Sequence, residues 1–100
     1  MPFIFHFKHG GFTTAKYHEA LDKLSAAGLG SPKGRSYHVC HGDPNNLEVT
    51  DVWTSMEEFQ EFGKTLMPIL ASMSLELGQP EMNEVHNIIV GEPATTEAAI

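Results

Sequence analysis

A single cysteine, Cys40, stands in this 100-residue chain. It can form no intrachain disulfide, and that permits a reducing compartment. Basic side chains are also scarce, six Lys and Arg against thirteen Asp and Glu, for a net charge of −7. An acidic domain has no electrostatic footprint for a phosphate backbone or an anionic lipid surface, so neither nucleic acid nor membrane is an expected partner. No stretch approaches the roughly 20 apolar residues of a membrane helix. The opening residues, Met1 to His6, lack the charged and apolar regions of a signal peptide. The expectation is a cytoplasmic protein. Missing too are the GxGxxG, P-loop, CxxC and HExxH patterns, so no nucleotide, redox or zinc-hydrolase fingerprint is present.

What the chain does have is ordinary globular composition, 41% hydrophobic and 19% charged, in a length suited to one domain. Residues 3–9 alternate Phe3, Phe5 and Phe7 against Ile4, His6 and Lys8, the period of a half-buried strand. Gly10-Gly11 ends it, and Thr13 or Thr14 can cap a helix. Tyr17, Ala20, Leu21, Leu24 and Ala27 keep helical spacing over 14–27, with Gly28 placed to close that helix. Residues 35–41 and 47–53 read as a hairpin about the turn signal Gly42-Asp43-Pro44-Asn45-Asn46. Ser55 three residues before Glu58 is a capping box. Behind it Phe59, Phe62, Leu66, Ile69/Leu70, Met73 and Leu77 form a second helical stripe, with a kink or break expected at Pro68. Gly78-Gln79-Pro80 closes that helix, and 82–90 is the fourth strand. Residues 1–90 thus make the domain and 91–100 a mobile tail. The order βαββαβ is the ferredoxin-like α+β pattern. Right-handed crossovers give an antiparallel sheet ordered 4-1-3-2 with both helices on one face.

Val52, Trp53, Ser55, Glu57 and Phe59, leading into the second helix, resemble the antibiotic biosynthesis monooxygenase group of the dimeric α+β-barrel superfamily. Tyr37-His38-Val39, His41-Gly42-Asp43-Pro44, Asp51-Val52-Trp53, Leu66-x-Pro68-x-Leu70 and Val85-His86-Asn87 resemble an uncharacterised bacterial branch of it. The resemblance covers about residues 1–90. It implies a homodimer whose sheets face each other as a barrel, with a small-molecule cavity. It also implies cofactor-independent oxidation or isomerisation of a small, partly aromatic molecule. The haem-degrading members carry an Asn on strand 1 and a Trp and a His on helix 2; this chain has His6, Phe62 and Ser72 there. The cyclase members carry a His on helix 2, and this helix has none. Neither activity is therefore carried over.

Six histidines supply candidate bases, because a neutral imidazole can take a proton from an activated carbon or a phenol. With strands 1 and 4 adjacent, His6 and His86 are expected side by side, and His6, His38, Thr50 and His86 form one candidate pocket. His86, His6 or His38 would be the catalytic base, with Tyr37, Thr50, Asp51 and Trp53 positioning the substrate. Asp51 on a central strand needs partners. It orients a histidine or accepts a substrate hydroxyl, or else it accepts from the second helix's N-terminus or the Trp53 indole. Trp53 reads as a packing anchor with its N–H on backbone. No metal and no cofactor are expected. His38-x-Cys40-His41 sends adjacent ligands to opposite faces of a strand, and the combination considered for an ion is His6, His86 and Glu84. The alternative to an enzyme is a non-catalytic binding module of the same fold. A closed apolar cavity with paired histidines would favour the module, and an open pocket with an unpaired one would favour the enzyme.

Overall fold

The structure is a computed structural model that describes residues 1–75 and 78–92. The expected end of the helical stripe at Leu77 and nearly all of the tail assigned to 91–100 lie outside the described residues. In order come β1 (Phe3–Lys8), α1 (Thr14–Ala26), β2 (Arg35–Asp43), β3 (Asn46–Trp53), α2 (Met56–Ser72) and β4 (Glu81–Glu84). The strands form one sheet in the order β2-β3-β1-β4, with every neighbouring pair antiparallel. This is the ferredoxin-like topology expected from the sequence, read from the other edge. Among the described residues no helix is long and apolar enough to cross a membrane.

Both helices start and stop where backbone chemistry tells them to. Thr13 Oγ1 accepts from the Lys16 N–H. Ser55 Oγ accepts from the Glu58 N–H while the Ser55 hydroxyl donates to the Glu58 carboxylate at 3.1 Å. Hydrogen bonds from the Thr54 hydroxyl and then the Ser55 hydroxyl hold the Glu58 carboxyl below its ordinary value. At the far end of α1, the Leu29 N–H reaches the Leu24 carbonyl and the Gly28 N–H the Ser25 carbonyl. Gly28 takes the left-handed conformation that this closure requires.

The end of α2 differs from expectation. Pro68 sits inside the helix without interrupting it. The helix stops at Ser72, well before Gly78. The Leu75 N–H bonds the Leu70 carbonyl and the Ser74 N–H bonds the Ala71 carbonyl, the same closure as in α1. Leu75 packs on Leu70 beneath it. A serine fills the position a glycine would hold, at φ +59°. The sequence carries no glycine there to announce the stop.

The fourth strand is shorter than the expected 82–90. It pairs Glu81 to Glu84 with His6 to Phe3, and one more bond runs from the Val85 N–H to the Pro2 carbonyl. Pro2 has no N–H to return, so the ladder ends. Ile88, Ile89 and Val90 are left exposed.

The core lies between sheet and helices. Phe5, Phe7, Leu24, Trp53 and Phe62 form its centre. Phe59 stacks on Phe5 with ring centroids 4.1 Å apart and meets Trp53 edge-on. Trp53 is fully buried, which fits a packing anchor, but its indole N–H has no hydrogen-bond partner among the described residues. That corrects the expected backbone bond. The lost bond costs about 1–3 kcal/mol, set against the burial of the largest side chain in the core.

Replacing Ser74 by glycine removes the left-handed strain at the α2 terminus. Ser74→Gly should raise stability by about 1 kcal/mol in chemical denaturation; an unchanged or lowered midpoint would contradict the closure described.

Candidate functional site

Strand pleating sorts the candidate residues onto two faces. Phe5 on β1 lies opposite Asp51 on β3, which lies opposite His38 on β2. That row faces the helices. In the next row His6 lies opposite Thr50, which lies opposite Val39, and that row faces away. A bulge between Arg35 and Tyr37 shifts the alternation on β2. Arg35 and His38, an odd number apart, therefore share the helix side, while Tyr37 turns outward and is 58% exposed.

The helix-side row builds a hydrogen-bonded chain of three side chains. The Asp51 carboxylate is buried and pairs with His38 Nδ1 at 2.6 Å. The other ring nitrogen, Nε2, stands 2.6 Å from the Tyr17 hydroxyl. The Tyr17 and His38 rings lie parallel, with centroids 5.9 Å apart. An ionised carboxylate accepts only, so His38 Nδ1 carries the proton and Nε2 accepts from the phenol. Tyr17 comes from the apolar stripe of α1, where it is the residue with a polar tip.

These groups line a cavity of about 70 Å³ between the helices and the sheet. Its other walls are mostly apolar, including Phe7, Phe12, Leu24, Phe59 and Leu66, with Arg35 and His9 adding polar edges. The Arg35 guanidinium lies 5.7 Å from the centre of the Phe62 ring. Desolvation is the main reason the Tyr17 phenol is held above its ordinary pKa. Negative charge on Cys40 and Asp51 adds to the rise and Arg35 opposes it. Tyr17 is therefore a neutral donor at physiological pH. Burial also pushes the Cys40 thiol up, which leaves it a poor nucleophile.

Several expectations change. His6, His38, Thr50 and His86 do not share a pocket. His6 and Thr50 face away from the helices, and His38 lies on the opposite side of the sheet. His86 falls beyond β4, exposed, with no strand of β1 left to pair with. Among the partners expected for Asp51, the structure gives the histidine, and neither the α2 N-terminus nor the Trp53 indole. Trp53 does not line the cavity. Sequence reasoning missed Tyr17 and Arg35: the first was absorbed in a helical stripe, and the second is aimed by a bulge that strict alternation does not foresee.

The sequence matches no family model and no curated protein. Solved structures do match. SnoaB of Streptomyces nogalater, a cofactor-independent oxygenase, aligns over 88% of this chain and 94% of its own, at 16% identity and TM-score 0.56. A Chloroflexus aurantiacus protein named for the antibiotic biosynthesis monooxygenases aligns over 90% and 97%, at 20% identity and TM-score 0.51. The chain has the antibiotic biosynthesis monooxygenase fold. That fold is not confined to proteins so named: a structural-genomics protein, YJCS, aligns over 86% of this chain and 100% of its own at TM-score 0.60 with 8% identity. At such identities the monooxygenase fold is shared and the chemistry must be argued from the side chains.

The raised phenol is open to direct measurement. In a Tyr37→Phe background, the 295 nm absorbance of Tyr17 should half-titrate above the ordinary tyrosine value of about 10. Adding Asp51→Asn should bring it down, because a negative neighbour is removed. A midpoint at or below the ordinary value in the Tyr37→Phe protein would contradict the described environment.

Proposed function

We propose that the protein is a cofactor-independent enzyme that takes a proton from a small, partly aromatic molecule bound between sheet and helices, as an oxygenase or isomerase does in its first step. The observation that carries this reading is the Tyr17–His38–Asp51 chain on the wall of an apolar cavity. Asp51 fixes the tautomer and orientation of His38 and stabilises the imidazolium that forms. Tyr17 bridges His38 and the cavity. A hydroxyl both donates and accepts, so Tyr17 takes the substrate proton as it passes its own to Nε2. Arg35 supplies positive charge beside the developing anion. In the oxygenase version the carbanion then reduces dioxygen. A substrate CH₂ becomes a carbonyl, the O–O bond breaks, and the second oxygen leaves as water.

A second reading has its own support. Both His38 nitrogens are occupied, and the cavity is far below the roughly 300–1,000 Å³ of ordinary ligand pockets. That arrangement suits a binding module without chemistry. On the enzyme reading, α1 and α2 part from the sheet to admit substrate.

We also propose a homodimer. Tyr37 and the apolar run Ile88 to Val90 are exposed in the single chain, Ile89 and Val90 at 86% and 87%. Exposed apolar side chains of this kind are what a second copy covers, and a mass of two chains is the expected native species.

Anthrone, whose activated CH₂ lies between aromatic rings, separates the readings. The enzyme reading predicts faster deuterium exchange at that carbon, with or without oxygen uptake, than in buffer. It also predicts a loss of about 100-fold or more in His38→Ala. Saturable binding with no exchange in the native protein would support the module and contradict the enzyme.

A further inference from the structure

The face of the sheet turned away from the helices carries a second cluster, unconnected to the cavity. His6 on β1, His41 on β2 and Glu48 on β3 each present one ligand atom within 4.8 Å of the others. We infer that these three residues form a binding site for a divalent first-row transition ion, held by two imidazoles and one carboxylate with its remaining positions open.

Sheet register creates the cluster. His41 lies directly opposite Glu48. Glu48 lies opposite Lys8 on its other side, so His6 is its diagonal neighbour two residues along β1. Diagonal pairs on one face of a sheet are within reach of long side chains. The spacing along β2 that argued against a metal site, with adjacent residues diverging, is no obstacle here because each strand gives one ligand.

The donors are close to coordinating distance. Two atoms bound to one ion at about 2.1 Å are at most about 4.2 Å apart. His6 Nε2 and Glu48 Oε1 are 2.7 Å apart already. The His6 and His41 rings lie near parallel, with centroids 5.8 Å apart. His6 and Glu48 are part-exposed and His41 is exposed, so a modest side-chain rotation brings the set onto one ion without disturbing the core.

An outer layer is also in place. His6 turns its other nitrogen, Nδ1, to the Glu81 carboxylate at 3.3 Å, and His41 Nε2 stands 3.0 Å from Thr50 Oγ1. Metal-bound imidazoles characteristically donate their second N–H to such a partner, which fixes the tautomer and raises ligand basicity. Two imidazoles with one carboxylate suit zinc and iron(II) rather than calcium or magnesium, which prefer all-oxygen sets. Lys8, the nearby cation in the register, is exposed and can extend into water.

Titration of chelator-stripped protein with ZnCl₂ by calorimetry, and with CoCl₂ by visible absorption, tests the assignment. The expected result is one zinc per chain and a cobalt spectrum showing nitrogen and oxygen ligands. His6→Ala and His41→Ala should each weaken zinc binding by more than the roughly 10–100-fold typical of outer-layer changes, and Glu81→Gln by about 10-fold. His86→Ala, which removes the histidine that the sequence pairs with His6, should leave binding unchanged. Circular dichroism checks that each variant folds, and His41→Gln replaces any that does not. Absence of zinc binding at millimolar metal, or binding that survives both His6→Ala and His41→Ala, would overturn the site.

Discussion

One buried carboxylate organises the centre of this molecule. Asp51 sits on an inner strand, under two helices, where an unpaired charge could not stay. The requirement is met by His38 on the neighbouring strand, and His38 in turn meets Tyr17 on the helix above. Three consecutive elements, α1, β2 and β3, are tied by two short polar bonds inside an otherwise apolar layer. In a low-dielectric setting those bonds are strong, and each group left alone would be costly. The same constraint that fixes how α1 lies on the sheet supplies an oriented imidazole. Structural need and chemical potential are here one arrangement.

The sheet separates two kinds of polar chemistry. On the helix side, Asp51, His38 and Tyr17 are drawn into an aromatic interior of Phe5, Phe7, Phe59 and Trp53. On the other side, His6, His41, Glu48, Thr50 and Glu81 gather in contact with water. Six histidines in an acidic chain are thus not one site. Pleating decides which are sheltered and which are open, and a one-residue change of register would exchange them.

Much of this was legible in the sequence. Alternation of Phe3, Phe5 and Phe7, the capping box at Ser55 and the turn signal after Gly42 name the elements and their order, and topology rules give the sheet. The row assignments on β1 and β3 were also readable from parity. What could not be read arises where local pattern and tertiary context part. Strand β4 stops because Pro2 cannot continue the ladder, a limit imposed by its partner and not by its own residues. Helix α2 stops on a serine in a glycine's conformation. The bulge at Arg35 aims that side chain into the cavity against simple alternation. Tyr17 looks like one more apolar position in a helix, and its hydroxyl acquires meaning only when β2 brings His38 beneath it.

The central claim is that Asp51 and Tyr17 hold His38 in one tautomer on the cavity wall. Long-range nitrogen–proton correlation spectroscopy of the His38 ring tests it most directly, at a pH well above the ordinary imidazole pKa of about 6.5. The account predicts a proton on Nδ1 and an unprotonated, hydrogen-bonded Nε2. A proton found on Nε2, or rapid averaging between the two forms, would contradict it.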